Sequence, residues 1–88
     1  MSDSMLGKFI RAIRIKYDIS DIKIAYRLGI SVKKYLTLES HPEKASPEEL
    51  DKLFLCIGMT NEEIEEFFKY RQFYERKTKK GLKLAKNS

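Results

Sequence analysis

Apolar residues recur along this chain three and four positions apart, the spacing of amphipathic helices, and five such segments can be read. The first starts near Ser4 and carries Leu6, Phe9, Ile10, Ile13 and Tyr17 on one stripe, with Arg11, Arg14 and Lys16 off it. Asp18-Ile19 breaks this segment, and Ser20 can cap the next by accepting from a free backbone N–H. The second segment, Asp21 to Leu28, offers Ile24, Ala25 and Leu28 to a core. Gly29 stands where a left-handed residue would close it, a conformation glycine adopts without a Cβ clash. Ser31 caps a third segment, Val32 to Leu38, and His41-Pro42 stops it, because a residue before proline is pushed out of the helical region.

The restart is plain. Ser46-Pro47-Glu48-Glu49 places a cap, a proline at the first helical position and two acids in the first turn. The fourth segment buries Leu50, Leu53, Phe54 and Ile57 and ends at Gly58. Thr60 and Glu63 form a second capping box, and Ile64, Phe67, Phe68 and Arg71 share one face of the fifth segment. That segment is expected to run through Tyr74 to about residue 77. No strand is expected. Residues 1–77 are read as one domain and residues 78–88 as a basic, flexible tail.

Charge changes the picture by segment. Residues 1–45 hold nine Lys/Arg and five Asp/Glu, residues 46–68 one Lys and seven acids, and residues 69–88 eight Lys/Arg and one acid. Two basic regions thus flank an acidic one, so a polyanion can meet either end but not the middle. At 88 residues there is room for one core. No apolar run approaches the ~20 residues of a membrane span, so no membrane partner is expected, and the expected location is cytoplasmic.

The stretch IAYRLGISVKKYLTLE, Ile24 to Glu39, joins two short helices at a glycine turn, with Ala25, Gly29 and Ser31 as the turn-forming set. Together with LGKFIRAIR (Leu6–Arg14) before it and SPEELDKLFLCIGMTNEEIEEFF (Ser46–Phe68) after it, the stretch resembles the lambda-repressor-like, xenobiotic-response-element type of helix-turn-helix family. The resemblance spans residues 6–68. It implies an all-α, compact five-helix bundle, here with an extended fifth helix and a basic tail. It also implies a transcription regulator of repressor or antitoxin type, a homodimer on double-stranded DNA, whose third helix enters the major groove.

Carried over by position, the resemblance puts Val32, Lys33 and Thr37 against base edges and Arg11, Lys23 and Lys34 against phosphates. A lysine can donate to guanine O6 or N7, and the Val32 and Thr37 methyls can touch thymine methyls. Two positions depart from the family pattern. Asp21 stands where Gln is frequent, and Leu36 where a polar side chain is common. With Val32 they motivate an alternative, a protein-interaction module on the same scaffold (adaptor, antitoxin or phage-encoded inhibitor) with weak or lost specific DNA binding. Leu36, Tyr70, Phe73 and Tyr74 are the candidates for a dimer or partner interface, since aromatics concentrate at interface cores. The same aromatics between Lys and Arg also suit single-stranded nucleic acid. The tail lysines read equally as a solubility feature, a phosphate-binding arm or an appended segment.

Other residues read as structural. Glu39 is expected to accept from Arg14, Cys56 to sit in the core, and His41 to lie at the surface. With one His, one Cys and no glycine-rich phosphate loop, neither an enzyme nor a cofactor is expected.

Overall fold

The computed structural model describes residues 4–72, and every regular element in that range is helical. α1 spans Met5–Lys16, α2 Asp21–Leu28, α3 Val32–Ser40 and α4 Pro47–Ile57, with a 3-10 turn at Pro42–Lys44 between the last two. α5 is helical from residue 61 through 72. The expectations for Phe73, Tyr74, the continuation to 77 and the tail 78–88 fall outside the described residues. No described helix is long and apolar enough to cross a membrane.

Local chemistry sets the boundaries. Ser4, Ser20, Ser31 and Ser46 each accept, through the hydroxyl, from the backbone N–H three residues on. α2 closes on Gly29 at φ +71°, and α1 gives way to Asp18 at φ +58°, a conformation that a short polar side chain tolerates. α3 runs to Ser40 rather than stopping at Leu38. Its last residues are anchored, because Glu39 is buried and the Ser40 carbonyl accepts from the Ser4 N–H at 2.9 Å.

The core draws on all five helices: Leu6 and Ile10 of α1, Ile24 of α2, Tyr35 of α3, Leu53 of α4 and Phe67 of α5 are fully buried. Phe67 occupies the centre, edge-on to Phe54 at 5.2 Å. Phe68, expected on the same buried face, lies 40 % exposed at the rim instead. A residue one position on is rotated by about 100° around a helix, so Phe68 reaches the core only with its ring edge, against Phe54 and Phe67. Tyr70 is covered more than its position suggests, because Phe9 of α1 packs edge-to-face against it at 5.4 Å. Cys56 is half-buried rather than a core residue, and His41 is half-buried with Nδ1 against Glu43 at 3.1 Å.

Two contacts lock α1. At Gly7 the helix lies against the end of α3 so closely that a Cβ would sit 2.6 Å from the Glu39 carbonyl oxygen and nearer still to that of Ser40. At the other end, Glu63 closes the α5 capping box with Thr60 and also accepts from Tyr17 Oη at 2.7 Å and Lys16 Nζ at 2.9 Å. Burial alone would raise the Glu63 carboxyl. The Lys16, Tyr17 and Thr60 donors outweigh that and bring it down to about 2.

Two outcomes follow from these contacts. Gly7→Ala should destabilise the fold by about 1–3 kcal/mol, since backbone rather than a flexible side chain must give way, and chemical denaturation measures it. Because the folded-state pKa of Glu63 is depressed, its contribution is present above the ordinary carboxyl range and is lost as pH falls toward 2. Lys16 is largely exposed and screened, so that contribution is about 1–2 kcal/mol. Thermal melts should show Glu63→Gln less stable than the parent near neutral pH, with the gap narrowing steadily through the acid range. A constant gap would assign the effect to packing.

Candidate functional site

The α2–α3 corner is built from the turn outward. Ala25 is buried with almost no exposed surface, and its carbonyl accepts from the Ile30 N–H at 3.1 Å while that of Tyr26 accepts from Gly29 at 3.1 Å. These bonds satisfy carbonyls that the end of α2 would leave open. Ser31 then caps α3 through the Lys34 N–H at 3.1 Å. The three turn-forming residues expected from the sequence are thus brought together.

α3 is fixed by two inward side chains, Tyr35 and Glu39, one helical turn apart and both fully buried. Glu39 Oε2 accepts from Arg14 Nε at 2.6 Å and from Tyr35 Oη at 2.8 Å. Glu39 Oε1 accepts from Arg14 Nη2 and Arg11 Nε, both at 3.4 Å. Arg14 Nη1 donates to the Ile19 carbonyl at 2.6 Å, so the guanidinium also ties α3 to the α1–α2 loop. Burial alone would lower the Arg14 pKa, but the Glu39 hydrogen bond and charge more than reverse it. Burial, then Glu39, push the Tyr35 hydroxyl well above its ordinary value, so it stays a donor. The Arg14–Glu39 pair matches expectation. The parts of Tyr35 and Arg11 were not foreseen, although the four-residue spacing of Tyr35 and Glu39 is visible in the sequence.

With that face turned in, Lys33, Lys34, Leu36 and Thr37 are exposed on the outside of α3. Thr37 Oγ1 donates back to the Lys33 carbonyl at 3.2 Å, which fixes its rotamer. Val32 is half-buried and packs on the core, so only part of it is presented. Lys23 is exposed on α2. Arg11 is exposed as well but shares Glu39, so its guanidinium is partly engaged within the protein. The described candidates therefore divide. Lys33, Lys34 and Thr37 form one outward surface with Leu36, and Tyr70 belongs to the α1–α5 contact.

Beside α3 runs a groove of about 210 Å³ lined by Leu28, Ile30, Lys34, Leu38, Glu49 and Lys52. A second, of about 250 Å³, shares Lys34, Leu38 and Glu49 and adds Thr37, His41 and Lys44. Other acids lie apart from α3: Glu62, Glu65 and Glu66 line a groove on α5 with Lys69 and Tyr70.

Ser4, Glu43 and His41 also come together, Ser4 Oγ donating to Glu43 Oε1 at 2.8 Å. The carboxylate is in the middle of this row. A hydroxyl nucleophile needs the imidazole beside it as base, so this cluster clamps α1 to the 3-10 turn and activates nothing. Among the described residues, no three His, Cys, Asp or Glu side chains could together hold a metal ion.

No family model, curated protein or solved structure matches this chain. The α3 surface presents two ammonium groups and a methyl-bearing side chain from a rigidly held helix.

That rigidity is open to measurement. Glu39→Ala should cost about 3–5 kcal/mol in urea denaturation, because Arg14 would stay buried with its charge uncompensated. Tyr35→Phe should cost only about 1 kcal/mol, the loss of one hydrogen bond with the ring retained. Equal losses would mean that ring packing, not the carboxylate, holds α3.

Proposed function

We propose that the protein is a sequence-specific, double-stranded-DNA-binding regulator of transcription, acting as a homodimer, with α3 as its reading helix. The observation that carries this is the division of α3. Tyr35 and Glu39 lock one face, and Lys33, Lys34 and Thr37 stand exposed on the other. A helix so held can enter a major groove, where Lys33 donates to guanine and the Thr37 methyl meets thymine. Lys34 and Lys23 meet phosphates, and Arg11 adds a weaker contact because Glu39 competes for it. The charge distribution supports the same orientation. The α5 acids Glu62, Glu65 and Glu66 line a separate groove that repels a polyanion, while Glu49 of α4 stands beside Lys34.

Leu36 favours a second reading. It is 40 % exposed between Lys33 and Thr37, where it offers nothing to a phosphate or a base-edge hydrogen bond. A protein partner bound through α3 would cover it, making the chain an interaction module rather than a DNA reader.

Random-site selection at moderate salt, with the oligomeric state measured alongside, separates the two. The DNA reading requires an enriched motif, and Lys33→Ala should relax one base preference by roughly 1–3 kcal/mol. Lys34→Ala should instead weaken all sequences alike and reduce the salt slope by about one. No enriched motif, together with a partner lost on Leu36→Lys, would replace DNA with protein.

A further inference from the structure

The most exposed apolar side chains lie away from the outer face of α3. Tyr26 is 86 % exposed, Leu55 82 % and Ile22 66 %. Ile22 and Tyr26 are four residues apart on α2, so they stack one turn above the other as a ridge on its outer side. Lys23 and Arg27 repeat the same spacing one position on, which sets a basic ridge beside the apolar one. Arg27 Nη1 reaches across to the Cys56 carbonyl at 3.1 Å. That bond joins the α2 ridge to the last turn of α4, which carries Leu55. Asp51, one turn before Leu55, bounds the patch on the α4 side.

None of these three side chains serves the core, whose α2 members are Ile24 and Ala25. Left in water, the Ile22–Tyr26 ridge, with Leu55 beyond the basic ridge that reaches α4, makes a mixed apolar and basic surface of the kind that marks an interface. Charge decides what covers it. In an antiparallel two-fold pairing of α2 with its copy, each flank meets the same flank, so Lys23 and Arg27 would face Arg27 and Lys23. Like charges there disfavour that pairing with a second copy. A duplex is no better suited, because backbone phosphates gain nothing from Ile22, Tyr26 or Leu55. The complementary surface is apolar, with acids where it crosses Lys23 and Arg27. A convex ridge with four-residue spacing is matched by the groove of another helix.

We propose that the outer face of α2, continued by the end of α4, docks an acidic amphipathic helix of a partner protein. The partner's apolar stripe covers Ile22, Tyr26 and Leu55, and its carboxylates meet Lys23 and Arg27. The proposal does not use the α3 surface and shares only Lys23 with the proposed DNA contacts, so it is tested without DNA.

Two helical peptides with the same leucine–phenylalanine stripe, one flanked by glutamates and one by lysines, are titrated without DNA into the isotopically labelled full chain. The acidic peptide should bind and shift the amide signals of Ile22, Tyr26 and Leu55, and the basic peptide should not. Tyr26→Ser and Lys23→Gln should each weaken it about tenfold or more while the thermal melt stays as in the parent, since both side chains are exposed. Three results would overturn the proposal: equal binding of both peptides, shifts centred on Lys33–Thr37 or on α5, or a dimer of the free protein that Tyr26→Ser converts to monomer. The last would give the face to a second copy after all.

Discussion

The Glu39 carboxylate is the constraint on which the rest of the bundle is arranged. It is fully buried, and a charge in that position is tolerated only with its donors in place: Arg14, Tyr35 and Arg11. Those donors come from α1 and from one turn earlier in α3, so satisfying one carboxylate fixes the rotation of α3 about its own axis. Side chains four apart share a face; with Tyr35 and Glu39 turned in, Lys33 and Thr37 must point out. A leucine at 39 would fill space without specifying rotation. The ion pair contributes orientation more than stability, and the close approach of Gly7 to the carbonyls of Glu39 and Ser40 keeps Arg14 within reach.

A second carboxylate does similar work at the opposite end of α1. Glu63 gathers Lys16, Tyr17 and the Thr60 N–H, joining the end of α1 to the start of α5. The two acids between them engage Arg11, Arg14 and Lys16, leaving Lys8 as the α1 cation with no such partner in Glu39 or Glu63. The first 45 residues are strongly basic by count, but three of the four α1 cations are paired with acids, Arg14 in the interior and Arg11 and Lys16 at the surface. Among the described residues, α2 and α3 each turn two basic side chains outward, Lys23 and Arg27 on one and Lys33 and Lys34 on the other. These four give the corner between the two helices a positive surface.

Local signals made most of the architecture legible in the sequence. A serine cap, a proline at the first helical position and a closing glycine each act within one turn, so the start of every helix and the stops at Gly29 and Gly58 were readable. What escaped depends on how helices pack. The place of Gly7 is set by the carbonyls of α3, which no local pattern reveals. Phe67 and Phe68 are adjacent and equally apolar, and only the angle at which α5 crosses Phe54 decides which is buried. Arg11 looked like a free cation because its partner lies 28 residues on. Ile22 and Tyr26 were passed over because α2 was read for its inward residues. The signal was present: two large apolar residues four apart, off the stripe of Ile24, Ala25 and Leu28.

That oversight bears on how the proposed surfaces relate. α2 is only eight residues long, yet it places Ile24 and Ala25 in the core, Lys23 and Arg27 on a basic ridge, and Ile22 and Tyr26 in water. So short a helix has little stability of its own and depends on its neighbours for position. Those neighbours are α3, across the Gly29 turn, and α4, through Arg27 and the Cys56 carbonyl. A load on the outer face of α2 therefore acts on the element that supports the start of α3. On the reading proposed here, a docked helix and a bound duplex occupy adjoining sides of one corner. Lys23 is the side chain that both could claim, which gives the two ligands a physical route to compete without any change in the bundle.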